Sequence, residues 1–314
     1  MKKIVVVEPL GISEDDVRSG LKQFEDQYTL DYYADRNEDP IELIHRAKDA
    51  EILIVSNIKI DEQILKECKN LKYIVVAFTG FDLIDIEYCK KHEIIVSNAS
   101  GYASDGVVEL TFGLIFAVYR LLISNDQNVR KLETHHNILG RELSNKTIGI
   151  VGAGVIGRRV ITVAQAFGAK VIAYNRSEIN MENVEQVSLE DLFKQSDVVS
   201  IHLPLNDATR GLISAKLLAL MKPESIFINT ARGPIVDNDA LAQLLKDHKI
   251  SGAGIDVFDM EPPLPSDYPL LSAPHTILAP HVAYYTQEAM EKRFDIVVEN
   301  IKTYLEGTPN NRVA

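Results

Sequence analysis

Three polar residues stand where apolar runs break off in the second half of the chain. Arg232 lies in Ile228-Asn-Thr-Ala-Arg-Gly-Pro234, Glu261 follows Ile255-Asp-Val-Phe-Asp-Met260, and His281 follows Leu278-Ala-Pro280. A guanidinium fork matches a carboxylate through two parallel hydrogen bonds. Histidine exchanges protons near neutral pH, and a carboxylate behind a histidine favours its protonated form. Such a set suits the reduction of a carbonyl next to a carboxylate, with arginine holding the acid and histidine supplying the proton. Each residue also has an ordinary reading. An arginine before Gly-Pro can be a surface or capping residue, a glutamate before Pro262-Pro263 a loop residue, and a single histidine a structural one.

The elements that must carry these residues are signalled upstream. In Lys146-Thr-Ile-Gly-Ile-Val-Gly-Ala-Gly-Val-Ile-Gly157 a short apolar strand runs into Gly152, Gly154 and Gly157, spaced G-x-G-x-x-G, and helical periodicity follows to Phe167. A strand, a glycine turn and a helix make a pyrophosphate site. The first glycine permits the tight turn, the second lets backbone approach the phosphates, and the third lets helix and strand pack closely. The exposed N–H groups and dipole of the helix then favour the anion. From there the strand candidates are Thr147–Val151, Lys170–Tyr174, Asp197–His202, Ser225–Asn229, Gly252–Val257 and Thr276–Leu278. Six strands with intervening helices predict a doubly wound nucleotide domain, in which ligands bind beyond the carboxyl ends of the strands. Arg232, Glu261 and His281 all fall at or after such ends.

The first hundred residues alternate in the same way. Lys3–Val7, Glu51–Ser56, Leu71–Ala77 and Ile94–Ser97 read as strands, with amphipathic stretches at Ser13–Gln27 and Pro40–Ala50. That alternation predicts a second parallel sheet covered by helices. Ala103–Leu122 is expected to be a buried helix, and Ser124–Ser144 a polar surface arm or loop. The helix over Thr286–Glu306 has no place in the second sheet and is expected to return to the first domain.

Composition narrows the function classes. The 314 residues are 46% hydrophobic and 25% charged, ordinary for a globular protein, and the net charge of −12 disfavours nucleic acid. No apolar stretch is long enough to span a bilayer, and the run Ile4–Val7 after Lys2-Lys3 is too short for a secretory signal. Cys68 and Cys89 form no C-x-x-C, and His135-His136 reads as a solvated loop, so no metal is expected and a reducing, cytoplasmic compartment is.

Taken in order, Gly152–Gly157, His202-Leu-Pro-Leu205, Ile228-Asn-Thr-Ala-Arg-Gly-Pro-Ile-Val-Asp237, Gly254-Ile-Asp-Val-Phe258 with Glu261-Pro262, and Pro280-His281 resemble the D-isomer-specific 2-hydroxyacid dehydrogenases over nearly the whole chain. The resemblance implies an α/β protein of two doubly wound parallel-sheet domains. Residues 101–285 would form a Rossmann NAD(P)-binding domain, and residues 1–100 plus 286–314 a flavodoxin-like substrate domain. It implies that Arg232 binds and polarises a 2-keto acid, that His281 is the proton donor or acceptor, and that Glu261 supports His281. It places Asp256 at the nicotinamide end of the cofactor, and the backbone near Val155-Ile156, Leu203-Pro204 and Thr230-Ala231, with Thr209, along the rest.

For the substrate it implies backbone N–H groups at Thr79 and Gly80, in Phe78-Thr-Gly-Phe-Asp82, although Phe78 stands where a small residue is usual. Tyr102 and Tyr284 resemble substrate-side positions of the D-lactate-type branch, with core packing as the alternative for each. A homodimer built around Ala103–Ser144 is implied as well.

The cofactor reading turns on Val171-Ile-Ala-Tyr-Asn175-Arg176-Ser177, where an acidic ribose ligand is expected about 20 residues past the glycines. Asn175 lacks the carboxylate that would repel a 2′-phosphate, while Arg176 and Ser177 offer it a guanidinium and a hydroxyl. NADP is therefore expected ahead of NAD, with Glu178 as the opposing feature. The expected activity is NAD(P)H-dependent reduction of a small 2-keto acid to the D-2-hydroxy acid. The rival is a non-catalytic dinucleotide sensor on the same fold, against which all three catalytic positions are filled.

Overall fold

The structure, a computed structural model, describes residues 2–314. It divides into two compact units, one formed by the chain through Ala103 together with Thr286–Ala314, the other by Ser104–Tyr285.

The first unit holds a parallel sheet of β1 (Lys2–Val6), β2 (Tyr28–Tyr32), β3 (Ile52–Val55), β4 (Tyr73–Val76) and β5 (Ile95–Asn98), in the order β2-β1-β3-β4-β5. That is the flavodoxin-like winding, which reverses direction between β1 and β3. β3 and β4 are buried along their whole length, as parallel strands covered on both faces must be. The helix Gln287–Leu305 belongs here, burying Phe294, Val297 and Ile301 in the same core as Ile4, Ile54 and Tyr73. Beyond it the chain returns along β5, where Val313 N–H donates to the Val96 carbonyl at 2.8 Å and the Asn98 N–H to that of Asn311 at 3.1 Å.

The second unit has seven parallel strands: β6 (Thr147–Val151), β7 (Lys170–Tyr174), β8 (Val184–Gln186), β9 (Val198–Ile201), β10 (Ile226–Asn229), β11 (Gly252–Ile255) and β12 (Thr276–Leu278). Their order, β12-β11-β10-β9-β6-β7-β8, is the Rossmann winding, reversing between β6 and β9. The helix Ser104–Tyr119 buries Val108, Phe112, Ile115 and Val118 against this sheet's core. It stops where Leu121 takes a left-handed φ of 52°.

Two strands escape the sequence pattern. β2 and β8 are edge strands, partly exposed and rich in polar residues, so they lack the apolar run that marks an interior strand. The second sheet therefore has seven strands rather than six. The polar stretch expected as an arm or loop begins instead as the helix Leu122–Arg130, none of whose residues is buried. Among the described residues no single helix is long and apolar enough to cross a membrane.

Candidate active site

The glycine run folds as its spacing requires. Gly152 has φ +101°, and a Cβ on it would lie 2.5 Å from the His202 carbonyl oxygen. A Cβ on Gly157 would lie 2.0 Å from the Gly152 carbonyl oxygen, so helix and turn meet only because nothing is there. Gly154 differs: a Cβ there meets nothing within 4 Å. It is the N-cap of the helix Val155–Ala166, whose first residue Val155 is exposed, with Ile156 partly so. An open cradle before a helix N-terminus fits a dinucleotide's pyrophosphate.

Past β7, the Asn175 side chain is built into this turn. Its Oδ1 accepts the Ala153 N–H at 3.2 Å, and its Nδ2 donates to Ser177 Oγ at 2.9 Å. Arg176 is exposed, and among the described residues it has no ion-pair partner. At the end of β9, His202 Nε2 lies 2.8 Å from Ser200 Oγ, and burial lowers its pKa to about 4, so the ring is neutral at pH 7. Leu203 and Pro204 follow it, and Thr209 Oγ1 closes their loop by donating to the Pro204 carbonyl at 2.6 Å.

At the end of β10, the buried Asn229 shapes the turn that carries the arginine. Its Oδ1 accepts the Ala231 N–H at 3.0 Å and its Nδ2 donates to the Arg232 carbonyl at 3.1 Å. Thr230 is buried with its hydroxyl 2.9 Å from that of Thr111, so its backbone is what remains for a ligand. Arg232 is half-buried, and its guanidinium donates to the Ala231 carbonyl at 2.9 Å.

Beyond β11 and β12 the histidine and its carboxylate come together. His281 Nδ1 lies 2.9 Å from both oxygens of Glu261, with the histidine side chain 11% exposed and the glutamate 57%. His281 takes a left-handed φ of 56°, uncommon for a side chain of this size. One residue enforces it. Asp256 accepts the His281 N–H on its carbonyl at 2.8 Å, and those of Val282 and Ala283 on its carboxylate at 2.8 and 2.9 Å. Burial raises the Asp256 carboxyl above its ordinary value, opposed by these two N–H donors. The resemblance sets Asp256 at the nicotinamide. Here the carboxylate is fully buried and both oxygens serve the histidine loop, so the role it displays is to pin that loop. The Tyr284 ring stands edge-on to the His281 ring at 5.1 Å.

In the first unit, the turn after β4 is latched to the end of β5. Asn98 Nδ2 donates to the Thr79 carbonyl at 2.7 Å and the Ala99 N–H to the Phe78 carbonyl at 3.0 Å, while Thr79 and Gly80 keep solvent exposure. Tyr102 is 3% exposed, with the Phe78 ring 6.2 Å away and the Arg293 guanidinium 5.6 Å from its centroid.

The residues that sequence reasoning passes over are the supports, Asn98, Asn229 and Asp259. Both asparagines end apolar strand runs, the same polar-at-strand-end signal that singles out Arg232. The structure brings Arg232, Glu261 and His281 into one unit and joins the last two directly.

Residues 112–283 match the model of the D-isomer specific 2-hydroxyacid dehydrogenase NAD-binding domain. The glyoxylate reductase of Thermococcus litoralis is 37% identical over 305 residues, covering 92% of this chain and 91% of that protein. An acyclic imino acid reductase in complex with NADPH and D-Arg superposes with a TM-score of 0.91 at 34% identity, over 99% of this chain and 100% of that one. A D-lactate dehydrogenase from Aquifex aeolicus, with NAD and lactic acid, gives 0.86 at 31% identity, over 98% and 96%. The chain belongs to the D-isomer specific 2-hydroxyacid dehydrogenase family and is an NAD(P)-dependent oxidoreductase of 2-hydroxy acids.

Proposed function

We propose that this enzyme reduces a small 2-keto acid, of the glyoxylate, hydroxypyruvate or pyruvate kind, to the D-2-hydroxy acid. The observation that carries the reading is the two-oxygen contact between Glu261 and His281 Nδ1, in the same unit as Arg232 and the glycine cradle. When bound, the reduced nicotinamide supplies the hydrogen and electron pair that the keto carbon gains. Arg232 holds the substrate's carboxylate and polarises its carbonyl. With Nδ1 committed to Glu261, His281 Nε2 is the atom that gives a proton to the substrate oxygen, and Glu261 fixes the ring that gives it. Tyr284 sits beside the reacting histidine.

NADPH is the preferred cofactor in this reading. No carboxylate ends β7, and Arg176 is exposed beside Asn175, which supports a contact with a 2′-phosphate. A homodimer through the 103–144 region is supported by the exposed apolar side chains there, Leu132 at 97% and Leu139 at 88%. A second reading, reduction of an imine formed from a keto acid and an amine, is favoured by the overlay on the imino acid reductase.

The deciding experiment is NADPH and NADH oxidation at 340 nm against 2-keto acids, alone and with ammonium or methylamine. Turnover without amine supports the keto-acid reading, and turnover only with amine replaces it by the second. Arg176→Ala is expected to raise the KM for NADPH about tenfold or more while leaving that for NADH near the parent's. Equal effects on both would defeat the phosphate contact.

A further inference from the structure

Glu261 is the most exposed of Arg232, Glu261 and His281, and a surface carboxylate gains little by holding one ion-pair geometry against its own side-chain entropy. The backbone that presents it therefore matters to where it stands. That backbone is fixed two residues earlier. Asp259 Oδ1 accepts Asn238 Nδ2 at 2.9 Å and Asp259 Oδ2 accepts the Tyr268 hydroxyl at 2.9 Å.

Both partners are buried. Burial, and then the Asp259 hydrogen bond, raises the Tyr268 phenol, which stays a neutral donor. The Tyr268 ring is held edge-on to Phe258 at 5.7 Å, so the loop is gripped on both sides of Asp259 and Glu261. The Asn238 amide reaches the neighbouring segment too, lying 3.3 Å from the carbonyl of Gly233, the residue after Arg232. A Cβ on Gly233 would lie 1.9 Å from the Phe258 carbonyl oxygen, so the two segments touch at backbone. The two bonds made by Asn238 Nδ2, to Asp259 and to Gly233, fix which way its amide faces.

We propose that Asn238, Asp259 and Tyr268 form a clamp of positioning residues. It sets Glu261 behind His281. The inference rests on the role of Glu261 proposed above, and the test separates the two.

Asp259→Ala is expected to lower kcat for keto-acid reduction about tenfold to a hundredfold, with the KM for the cofactor unchanged. In a Glu261→Gln background the same substitution is expected to cost nothing further, because the group that the clamp positions is gone. Asp259→Asn should restore most of the rate, since an amide can accept from Asn238 and donate to the tyrosine oxygen. Tyr268→Phe, which deletes one hydroxyl, repeats the cycle if Asp259→Ala folds poorly. Multiplicative losses in the two backgrounds would overturn the clamp alone. A Glu261→Gln enzyme as active as the parent would overturn the reading of Glu261, and the clamp with it.

Discussion

The two units are wound on related plans, and the place where strand order reverses is filled differently in each. In the first unit, three consecutive N–H groups after β3, from Ser56, Asn57 and Ile58, converge on one carboxylate oxygen of Glu8, just past β1, at 2.8, 3.0 and 3.1 Å. The other oxygen takes Arg36 at 2.9 Å. In the second unit, the turn between β6 and its helix opens at Gly154 onto empty space. The same topology thus makes an anion site twice. Where the chain carries its own carboxylate to the site, the site is structural. Where it carries only glycines, a ligand can be the anion. Asp256 repeats the first solution beneath His281, so an internal carboxylate is this molecule's habitual way of fixing a loop.

Substitutions at the two switch points should separate these roles. The largest effect is expected for Gly157→Ala, which puts a methyl 2.0 Å from a carbonyl oxygen. It should cost about 3 kcal/mol or more, read as a lower denaturation midpoint together with lost cofactor binding. Next is Glu8→Ala, which strands three N–H donors, two of them buried, and should cost roughly 2–4 kcal/mol in urea unfolding while sparing cofactor affinity in folded protein. Gly154→Ala is expected to leave the melting temperature unchanged and to weaken NADPH binding about tenfold by titration, since its methyl meets only the ligand's space. A fall in melting temperature there would mean that the cradle, too, is structural.

The smallest effect is a pH dependence. Burial raises the Glu8 carboxyl, against the pull of Ser56 and Arg36. The folded state therefore holds this proton to higher pH than the unfolded chain, and the group's contribution to stability falls as pH rises from about 4.5 through the raised value. Glu8→Gln should match the parent near pH 4 and gain on it towards neutrality. A difference that does not change with pH would remove the desolvation argument.

Interior strands and strand ends were readable because burial and polarity alternate sharply there. Ile226–Asn229 and Gly252–Ile255 are apolar up to the point where chemistry begins. β2 and β8 were not, since an edge strand shares one side with solvent and its sequence, YTLDY or VEQ, carries no periodic signal. Within the site, Arg232, Glu261 and His281 stand out as polar breaks in apolar runs. Asp259 does not, because its meaning depends on Asn238 and Tyr268, which lie 21 and 9 residues away and meet it only after folding. Nothing local marks Glu8 either, whose partners lie 28 residues downstream, at Arg36, and 48 to 50 residues downstream.

The pairing of β5 with the last residues of the chain also sets an order in time. Ser97 Oγ donates to the Asn310 carbonyl, a contact that spans 213 residues, with the whole second unit between the two. Closing so long a loop adds little free energy, because each doubling of length costs only about 0.6 kcal/mol. On a ribosome, though, the partner strand does not yet exist when β5 emerges. The second unit is contiguous and can fold as it is made, while the unit that starts first must wait with its sheet edge and its Gln287–Leu305 site uncovered until residues 286–314 have been made. A chaperone that shields apolar surface would find its target in the first hundred residues, during the interval in which the rest is translated.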